Sequence, residues 1–238
     1  MNDLGYILLT VFVSVILLYC YNFGLHKSGV EPIKRKQKLL KASLVLAGWF
    51  VYLISMAKTG ILQDYSLPPR FPIFTIFPAF GFIFVVARRK ETAVFISNIP
   101  TTWLTFVQSF RIVVELLFVA SVANGMLHPE VTIEGYNYDM IFGFSALLVG
   151  YLDYKYLNKS NTLVLWWNYL GLAVLFSVII LFVTTTYIPN LWGSETTLAL
   201  PGMVSFPTIL VPAFLMPVAV FIHVLSIIKL RNEKKVES

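Results

Sequence analysis

Cysteine and charge are both scarce in this chain. Cys20 is the single cysteine among 238 residues, which excludes a disulfide or a multi-cysteine metal site within one chain. Asp, Glu, Lys and Arg together make up only 13% of the residues, whereas soluble domains carry roughly 25%. The composition therefore argues against a soluble globular protein.

Long apolar runs dominate what is present. Hydrophobic residues make up 58% of the chain and the mean hydropathy is +0.77. Apolar runs repeatedly exceed the ~18 residues that indicate a membrane span. The first run follows Met-Asn-Asp rather than a basic leader and lacks a small-residue cleavage site, so we interpret it as a retained helix and not as a signal peptide.

The predicted fold is all-α, a polytopic membrane bundle of seven transmembrane helices that forms a single integral membrane domain over residues 1–238. Nothing in the chain resembles a separate soluble domain, because the connections between the spans are too short to build a core of their own. The predicted spans are Leu4–Asn22, Ala42–Ile61, Phe71–Ala87, Thr101–Asn124, Tyr138–Tyr154, Leu163–Tyr187 and Phe206–Ile228.

Lysine and arginine are unevenly divided between the two sides of this bundle. Of the 18 basic residues, 15 fall in loops on one side, two fall on the other, and Arg111 lies inside a helix. Basic loops stay in the cytoplasm, so we predict an outside N-terminus and a cytoplasmic C-terminus in the plasma membrane, that is, the bacterial inner membrane. The net charge of +6 is then a topology signal and not a surface for nucleic acid. The 15 residues are Lys27, Lys34, Arg35, Lys36, Lys38, Lys41, Arg88, Arg89, Lys90, Lys155, Lys159, Lys229, Arg231, Lys234 and Lys235, and the two are Lys58 and Arg70.

The starts of the third and seventh spans resemble each other. The sequence reads LPPRFP at 67–72 and FPAF at 77–80, and it reads FP at 206–207 and VPAF at 211–214. Both helices run from outside to inside in the predicted topology, so helices one to three and five to seven would form a 3+1+3 parallel repeat of a kind found in transporters. The alternative is a chance match, because phenylalanine and proline are abundant here and short matches are often false.

The fourth span contains an arginine and a glutamate in an apolar sequence. Arg111 and Glu115 are four residues apart, which places them on one helical face, one turn apart. Arg111 lies about ten residues, or ~15 Å, from the ends of the span. A charge near the bilayer midplane costs a few kcal/mol and usually faces a cavity or a partner. The pair is therefore either part of a functional site or an ion pair that fixes helix packing.

Two other polar residues lie at a similar depth. Asn168 is about five residues into the sixth span, and His223 lies six residues before Lys229, roughly 9 Å from the cytoplasmic end. Pro212 and Pro217 each remove a backbone hydrogen bond and are expected to kink the seventh helix beside them. We predict one cavity that binds a ligand through Arg111, Glu115, Asn168 and His223. The alternative is that each residue only joins helices by a hydrogen bond, and for His223 taken alone this is the favoured interpretation.

The connection between the fourth and fifth spans is the most polar of the outer loops. Its candidates for capping the bundle or contacting a cation are Glu134, Asn137 and Asp139. Asp139 equally suits the N-cap of the fifth helix, and we favour that role. The sequence has no cluster with metal-ligand spacing, and we predict no metal and no cofactor.

Four motifs in the second half of the chain resemble a family of bacterial multi-helix membrane proteins. They are R-x3-E, T-x-E-G-x-N-x-D, W-N-x2-G-L and F-P-x4-P-x4-P-x5-H. In this sequence they comprise Arg111 and Glu115; Thr132, Glu134, Gly135, Asn137 and Asp139; Trp167, Asn168, Gly171 and Leu172; and Phe206, Pro207, Pro212, Pro217 and His223. The resemblance implies a shared fold and a shared site, and it supplies no substrate.

Known seven-helix classes differ from this sequence at the residues they need. A retinal protein requires a lysine in the middle of its last helix, and here the last helix has none before Lys229. Sugar transporters of the 3+1+3 plan carry a Pro-Gln signature that is absent. We expect a small-molecule transporter or ligand-binding membrane protein whose ligand is polar or amphipathic, with Arg111 favouring an anionic group.

Two alternatives to transport remain. A non-catalytic accessory or sensor protein needs only a packed bundle and a partner. A membrane-embedded enzyme that modifies a lipid or isoprenoid needs a catalytic set, and neither HExxH, nor GxSxG, nor an acidic pair inside the bilayer is found. The expected partners are the lipid bilayer and a small ligand, not nucleic acid, and the sequence leaves the oligomeric state open.

Overall fold

Helices and the connections between them make up the part of the protein that is described. A computed structural model describes residues 2–156, 161–188, 191 and 201–237, and Lys159, counted above among the basic loop residues, lies outside them. No strand occurs within those ranges, so the all-α prediction is confirmed. The α-helices within them are α1 (Asn2–Lys27), α2 (Pro32–Thr59), α3 (Phe77–Ala87), α4 (Lys90–Ser97), α5 (Thr101–Val107), α6 (Phe110–Ala123), α7 (Asp139–Tyr156), α8 (Asn161–Tyr187) and α9 (Met216–Glu237).

Five helical stretches are long and apolar enough to cross a membrane. They are Asp3–Lys27, Pro32–Thr59, Thr101–Ala123, Asn161–Thr184 and Val211–Glu233. A sixth arises if Pro72–Ala87 and Lys90–Ser97 are taken together across a bend of 76°. The bend lies at the basic residues Arg88 and Arg89, in a stretch that was predicted from the sequence to be a cytoplasmic loop. The described part of the chain is therefore all-helical and contains five to six potential membrane spans.

Helix α7 coincides with the fifth predicted span but does not meet the same criterion. It has only 18 residues, and these include Asp139, Asp153 and Lys155. Neither aspartate faces away from the protein: the carboxylate of Asp139 binds Arg111, and Asp153 accepts a 2.8 Å hydrogen bond from Thr102. Arg111 of α6 thus neutralises the charge of Asp139, and Thr102 of α5 donates a hydrogen bond to Asp153.

Helix α7 packs antiparallel to α5 and α6 at very short range. A methyl group at Gly143 would lie 3.1 Å from the backbone nitrogen of Ile112, and one at Gly150 would lie 2.9 Å from the ring of Phe106. Small residues at this seven-residue spacing allow two helix backbones to approach closely, which is a common device in membranes. The first turns of α7 consequently lie beside the first turns of α6, next to Arg111.

Two π-helices, one before α3 and one before α9, have a matching arrangement. Pro72–Ile76 leads directly into α3, and Val211–Leu215 leads directly into α9. The second residue of each following helix is a proline, Pro78 or Pro217. Corresponding positions are 139 apart in both comparisons (72 to 211, and 78 to 217). The structural match therefore has a different register from the sequence match, which paired 77–80 with 211–214.

Helix α2 holds both π-helices through side-chain donors. The indole Nε1 of Trp49 donates to the carbonyl of Ala213 at 3.1 Å, and the hydroxyl of Tyr52 donates to the carbonyl of Phe74 at 2.8 Å. Phe74 and Ala213 occupy the same position, the third, of their π-helices. A π-helix leaves backbone carbonyls without their usual helical partners. Two donors one turn apart on α2 satisfy one such carbonyl in each.

Candidate functional site

Arg111 of α6 is completely enclosed and binds an aspartate from α7. Its side chain is 1% exposed, and its Nε lies 2.9 Å from each carboxylate oxygen of Asp139. The Nη2 group of Arg111 also pairs with the Oδ1 atom of Asp139. The guanidinium carbon lies 4.6 Å from the ring centroid of Phe142, one turn further along α7. This two-point geometry is the way that arginine recognises carboxylates and phosphates.

His223 of α9 completes the surroundings of Arg111. The Nη1 group of Arg111 donates to His223 Nε2 at 3.3 Å, and His223 Nδ1 lies 2.8 Å from Asn168 Oδ1 on α8. The amide of Asn168 is oriented by a bond from its Nδ2 to the carbonyl of Val164, at 2.7 Å. Because arginine can only donate and Asn168 presents its oxygen, the imidazole is neutral and carries its proton on Nδ1.

Aromatic rings hold the imidazole in this position. Phe142 stacks on Trp167 with centroids 4.6 Å apart, and the His223 ring lies 5.7 Å from Phe142 and 5.4 Å from Trp167. The indole Nε1 of Trp167 donates to Ser145 on α7 at 3.0 Å. The neutral imidazole is therefore confined by rings at its faces and edges and by hydrogen bonds at both nitrogens.

Glu115 does not pair with Arg111. Its Oε1 accepts a 2.6 Å hydrogen bond from the backbone nitrogen of Ile133, and its Oε2 accepts a 3.0 Å bond from Asn137 Nδ2. No ion pair joins Arg111 and Glu115 in the described part of the chain. The connection between α6 and α7 folds back into the bundle to reach Glu115, one turn along α6. The ion pair between Arg111 and Glu115 that the sequence suggested is therefore not formed. Arg111 binds Asp139, and Glu115 binds Ile133 and Asn137.

The outer-loop candidates have three different environments. Asn137 is buried, and its Oδ1 accepts the backbone N–H of Asp139 at 3.0 Å. Asn137 therefore satisfies the first N–H of α7, and Asp139 is the first residue of that helix and not its cap, which corrects the role favoured from the sequence. Glu134 is exposed.

Together these groups form one hydrogen-bonded chain across four helices. It runs from Ile133 through Glu115 and Asn137 to the start of α7, and then from Asp139 through Arg111, His223 and Asn168 to Val164 on α8. Arg111, Glu115, Asn137, Asp139, Asn168 and His223 are all buried. We call these six residues the polar cluster. The structure brings together all four residues that the sequence assigned to a ligand site.

An apolar chamber of about 110 Å³ lies elsewhere in the bundle. Its walls come from both π-helices, from α8 and from α6. The lining includes Phe71, Pro72, Ile76, Phe118, Val178, Ile179, Phe182, Val183, Met203, Val204, Val211, Pro212 and Met216, with Tyr65, Thr186 and Tyr187 at one end. None of the six cluster residues lines it. The proline-kinked start of the seventh helix therefore borders this chamber and not the polar cluster, where the sequence had placed it.

The chamber and the polar cluster lie on the same faces of three helices. Phe118 is seven residues beyond Arg111 on α6, and Met216 is seven residues before His223 on α9. Phe182 is fourteen residues beyond Asn168 on α8. Steps of seven residues return to nearly the same helical face, and each advances about 10 Å. The chamber is thus stacked on the cluster along the bundle, toward the C-terminal ends of α6 and α8.

The known proteins offer no guide to what this arrangement does. Comparison of the chain with family models, with curated proteins and with solved structures gives no match. The family resemblance of the second half accordingly stays a prediction. Within residues 2–156, 161–188, 191 and 201–237, no group of three or more His, Cys, Asp or Glu side chains is placed to hold a metal ion.

Two features were not predicted from the sequence: the contact of Arg111 with Asp139, and the apolar chamber. Asp139 was recognised as a loop candidate, but its contact with Arg111 depends on the folding back of the connection between α6 and α7. The prolines at 72 and 212 were the available signal for the chamber. They marked two interrupted helices, but they did not indicate that the two interruptions face each other.

Proposed function

We propose that this protein is a small-molecule transporter or ligand-binding membrane protein whose ligand presents an anionic group to Arg111. The observation that supports this is the two-point contact between Arg111 and Asp139 in the interior. The carboxylate of Asp139 occupies the position that a carboxylate or phosphate of a ligand would take. In this proposal Asp139 is an internal substitute that the anionic group of the ligand displaces.

Replacement of the Asp139 carboxylate by the anionic group of the ligand moves helix α7. Asp139 is the first residue of α7, so its release from Arg111 frees the start of that helix and the loop that carries Asn137. Arg111 also donates to His223 on α9, which links the same event to the helix that borders the chamber. A ligand that binds the released form more tightly shifts the bundle toward it by mass action. This is the minimum that a carrier needs for alternating access.

We further propose seven membrane spans, an outside N-terminus and location in the plasma membrane. The lopsided distribution of lysine and arginine supports the orientation. Burial of Asp139 against Arg111, with the contact between Asp153 and Thr102, supports α7 as a span despite its charges. The matching π-helices before α3 and α9 support the 3+1+3 parallel repeat, with α5 and α6 as its bridging span.

The test is binding of small anions to the purified protein. The panel contains short-chain and long-chain carboxylates, phosphate esters and sulfonates, and binding is measured as the shift in unfolding temperature, followed by uptake into proteoliposomes for each hit. Arg111→Gln should abolish binding because the two-point donor is lost. Asp139→Asn should tighten binding because the internal competitor loses its charge. Arg70→Gln, which removes an arginine paired with Asp64 at the surface, serves as the matched control and should bind normally.

The second candidate is a non-catalytic accessory or sensor protein. It is favoured by the completeness of the polar cluster, in which each charged side chain already has a partner within the protein. In that case no anion in the panel binds, and Asp139→Asn lowers stability without creating any affinity. Tighter anion binding by Asp139→Asn is therefore the result that separates the two functions.

A further inference from the structure

We propose that the apolar chamber between the two π-helices binds the hydrocarbon chain of a membrane lipid. The chamber is a separate site from the polar cluster, and this proposal stands whether Arg111 binds a ligand or only holds helices together. The observation behind it is a chamber lined mainly by apolar side chains, one of which, Val183 of α8, is also exposed at the outer surface of the bundle.

The lining of the chamber selects for hydrocarbon. Its long walls are aliphatic or aromatic, and its hydroxyl groups, those of Tyr65, Thr186 and Tyr187, come from one end. Dry apolar cavities bind apolar molecules, and a cavity of roughly 150 Å³ holds a benzene ring. A chamber of about 110 Å³ accordingly accommodates the terminal part of a chain, a few methylene groups long.

The exposed residues of α8 beside the chamber indicate which hydrocarbon reaches it. Val183 lines the chamber and is 37% exposed, and Phe176 and Ile180 continue the same exposed stripe along α8. Successive residues of this stripe are four and three positions apart, as expected for one face of a helix. This stripe belongs to a stretch that is apolar enough to span a membrane. An acyl chain of the surrounding bilayer can therefore enter without crossing water.

The chamber is also held open by contacts that do not involve its occupant. Trp49 and Tyr52 bind the carbonyls of Ala213 and Phe74 from the α2 side. Pro72 and Pro212 line the chamber, and neither has a backbone N–H that would need a hydrogen-bond acceptor there. Donors outside the chamber thus hold the two π-helices in place. A polar molecule inside the chamber is not required to bind their carbonyls.

The experiment uses photochemical labelling by a lipid. The full-length protein is placed in vesicles of phosphatidylethanolamine and phosphatidylglycerol that contain a small fraction of phosphatidylcholine with a diazirine near the end of one acyl chain. After illumination, labelled residues are mapped by mass spectrometry. Met203 is the diagnostic position, because it lines the chamber but is only 5% exposed. Phe176, 62% exposed on the lipid-facing stripe, is the internal reference.

We expect label on both Met203 and Phe176 in the native protein. Val178→Trp fills the chamber from α8 and Val211→Phe fills it from the opposite wall. Either one should abolish label at Met203 while label at Phe176 persists. Val178→Ala, which keeps the chamber open, and Leu170→Trp, which adds the same ring on an exposed face of α8, should leave the pattern unchanged.

Two results would overturn the proposal. One is a native protein labelled at Phe176 and not at Met203, which would mean that no chain enters the chamber. The other is label at Met203 that survives in a folded chamber-filling variant, which would mean that the lipid reaches this residue by another route. Two filling variants on different walls ensure that a folding defect in one does not remove the test.

Discussion

Gly171 of α8 lies directly against the imidazole of His223 on α9, and no side chain larger than hydrogen fits at this position. A methyl group there would overlap Cε1 and Nε2 of His223 and lie 2.8 Å from Cε1 of Phe142. The ring cannot move aside, because Asn168 and Arg111 bind its two nitrogens. Close approach of α8 and α9 is therefore a condition for the polar cluster to form.

Gly171→Ala should destabilise the protein by about 1–3 kcal/mol, the usual cost of forcing extra volume into a packed interior. Gly48→Ala and Gly81→Ala are matched controls, because both glycines lie within helices and a methyl group there meets nothing within 4 Å. These two should be neutral or more stable by roughly 0.5–1 kcal/mol. Unfolding in detergent by sodium dodecyl sulfate gives the comparison. Equal behaviour of all three variants would contradict the close contact.

Arg111 and Asp139 should be strongly coupled in a double-mutant cycle. Arg111→Leu alone should lower the free energy of unfolding by about 3–5 kcal/mol, because it leaves the Asp139 carboxylate buried without a partner. Arg111→Leu combined with Asp139→Leu should cost less than the sum of the two single changes. The corresponding cycle of Arg111 with Glu115 should be closer to additive, because Glu115 has its own partners in Ile133 and Asn137. Larger coupling to Glu115 than to Asp139 would show that the wrong acid has been assigned to Arg111.

The donors on α2 should each contribute one hydrogen bond to a π-helix. Tyr52→Phe and Trp49→Phe keep an aromatic ring but leave the carbonyl of Phe74 or Ala213 without that donor, at a cost of about 0.5–1.5 kcal/mol each. The two rings stack with centroids 5.2 Å apart, so the double variant should deviate from additivity. Tyr154→Phe, at a residue 67% exposed, is the control and should have no effect on unfolding.

Accessibility should differ sharply between Glu134 and Asn137, although only three residues separate them. In a variant that lacks Cys20, Glu134→Cys should react in intact cells with a maleimide that does not cross membranes. Asn137→Cys should not react, because that position is buried against Glu115. Lys34→Cys should react only after permeabilisation, since the proposed topology puts it in the cytoplasm. Reaction of Lys34→Cys in intact cells, with Glu134→Cys protected, would reverse the orientation.

The long apolar helices could be predicted approximately from the sequence, whereas α4 was not predicted and α2 begins ten residues before the predicted span. In a bilayer each backbone polar group must find its partner within its own helix, so a long apolar run is close to sufficient to specify one. The same logic gave the approximate depth of Arg111, Asn168 and His223, because depth along a helix follows from counting residues. Depth led us to predict a cavity shared by these three side chains. The structure instead places His223 in direct contact with both Arg111 and Asn168, and the rotation of each helix, which depth does not give, decided those contacts.

The side chains that contact Arg111 and Glu115 could not be predicted in the same way. The spacing of Arg111 and Glu115 indicates a shared face of one helix, but it does not say which residues of other helices face it. Asp139 reaches Arg111 because Gly143 and Gly150 let α7 approach α5 and α6, and because the preceding connection turns back into the bundle. Both are long-range contacts, and neither leaves a local signal that would separate Asp139 from an ordinary helix cap.

Sequence by itself thus determined the class of protein, the helical segments and the depth of the polar residues, because these depend on local hydropathy and on a fixed rise per residue. Tertiary structure alone decided that Arg111 binds Asp139, that His223 carries its proton on Nδ1, and that two interrupted helices enclose an apolar chamber. Each of these depends on the rotation of one helix about its axis relative to its neighbours. That rotation is set by the packing of small and large side chains across helix interfaces, which no single stretch of sequence contains.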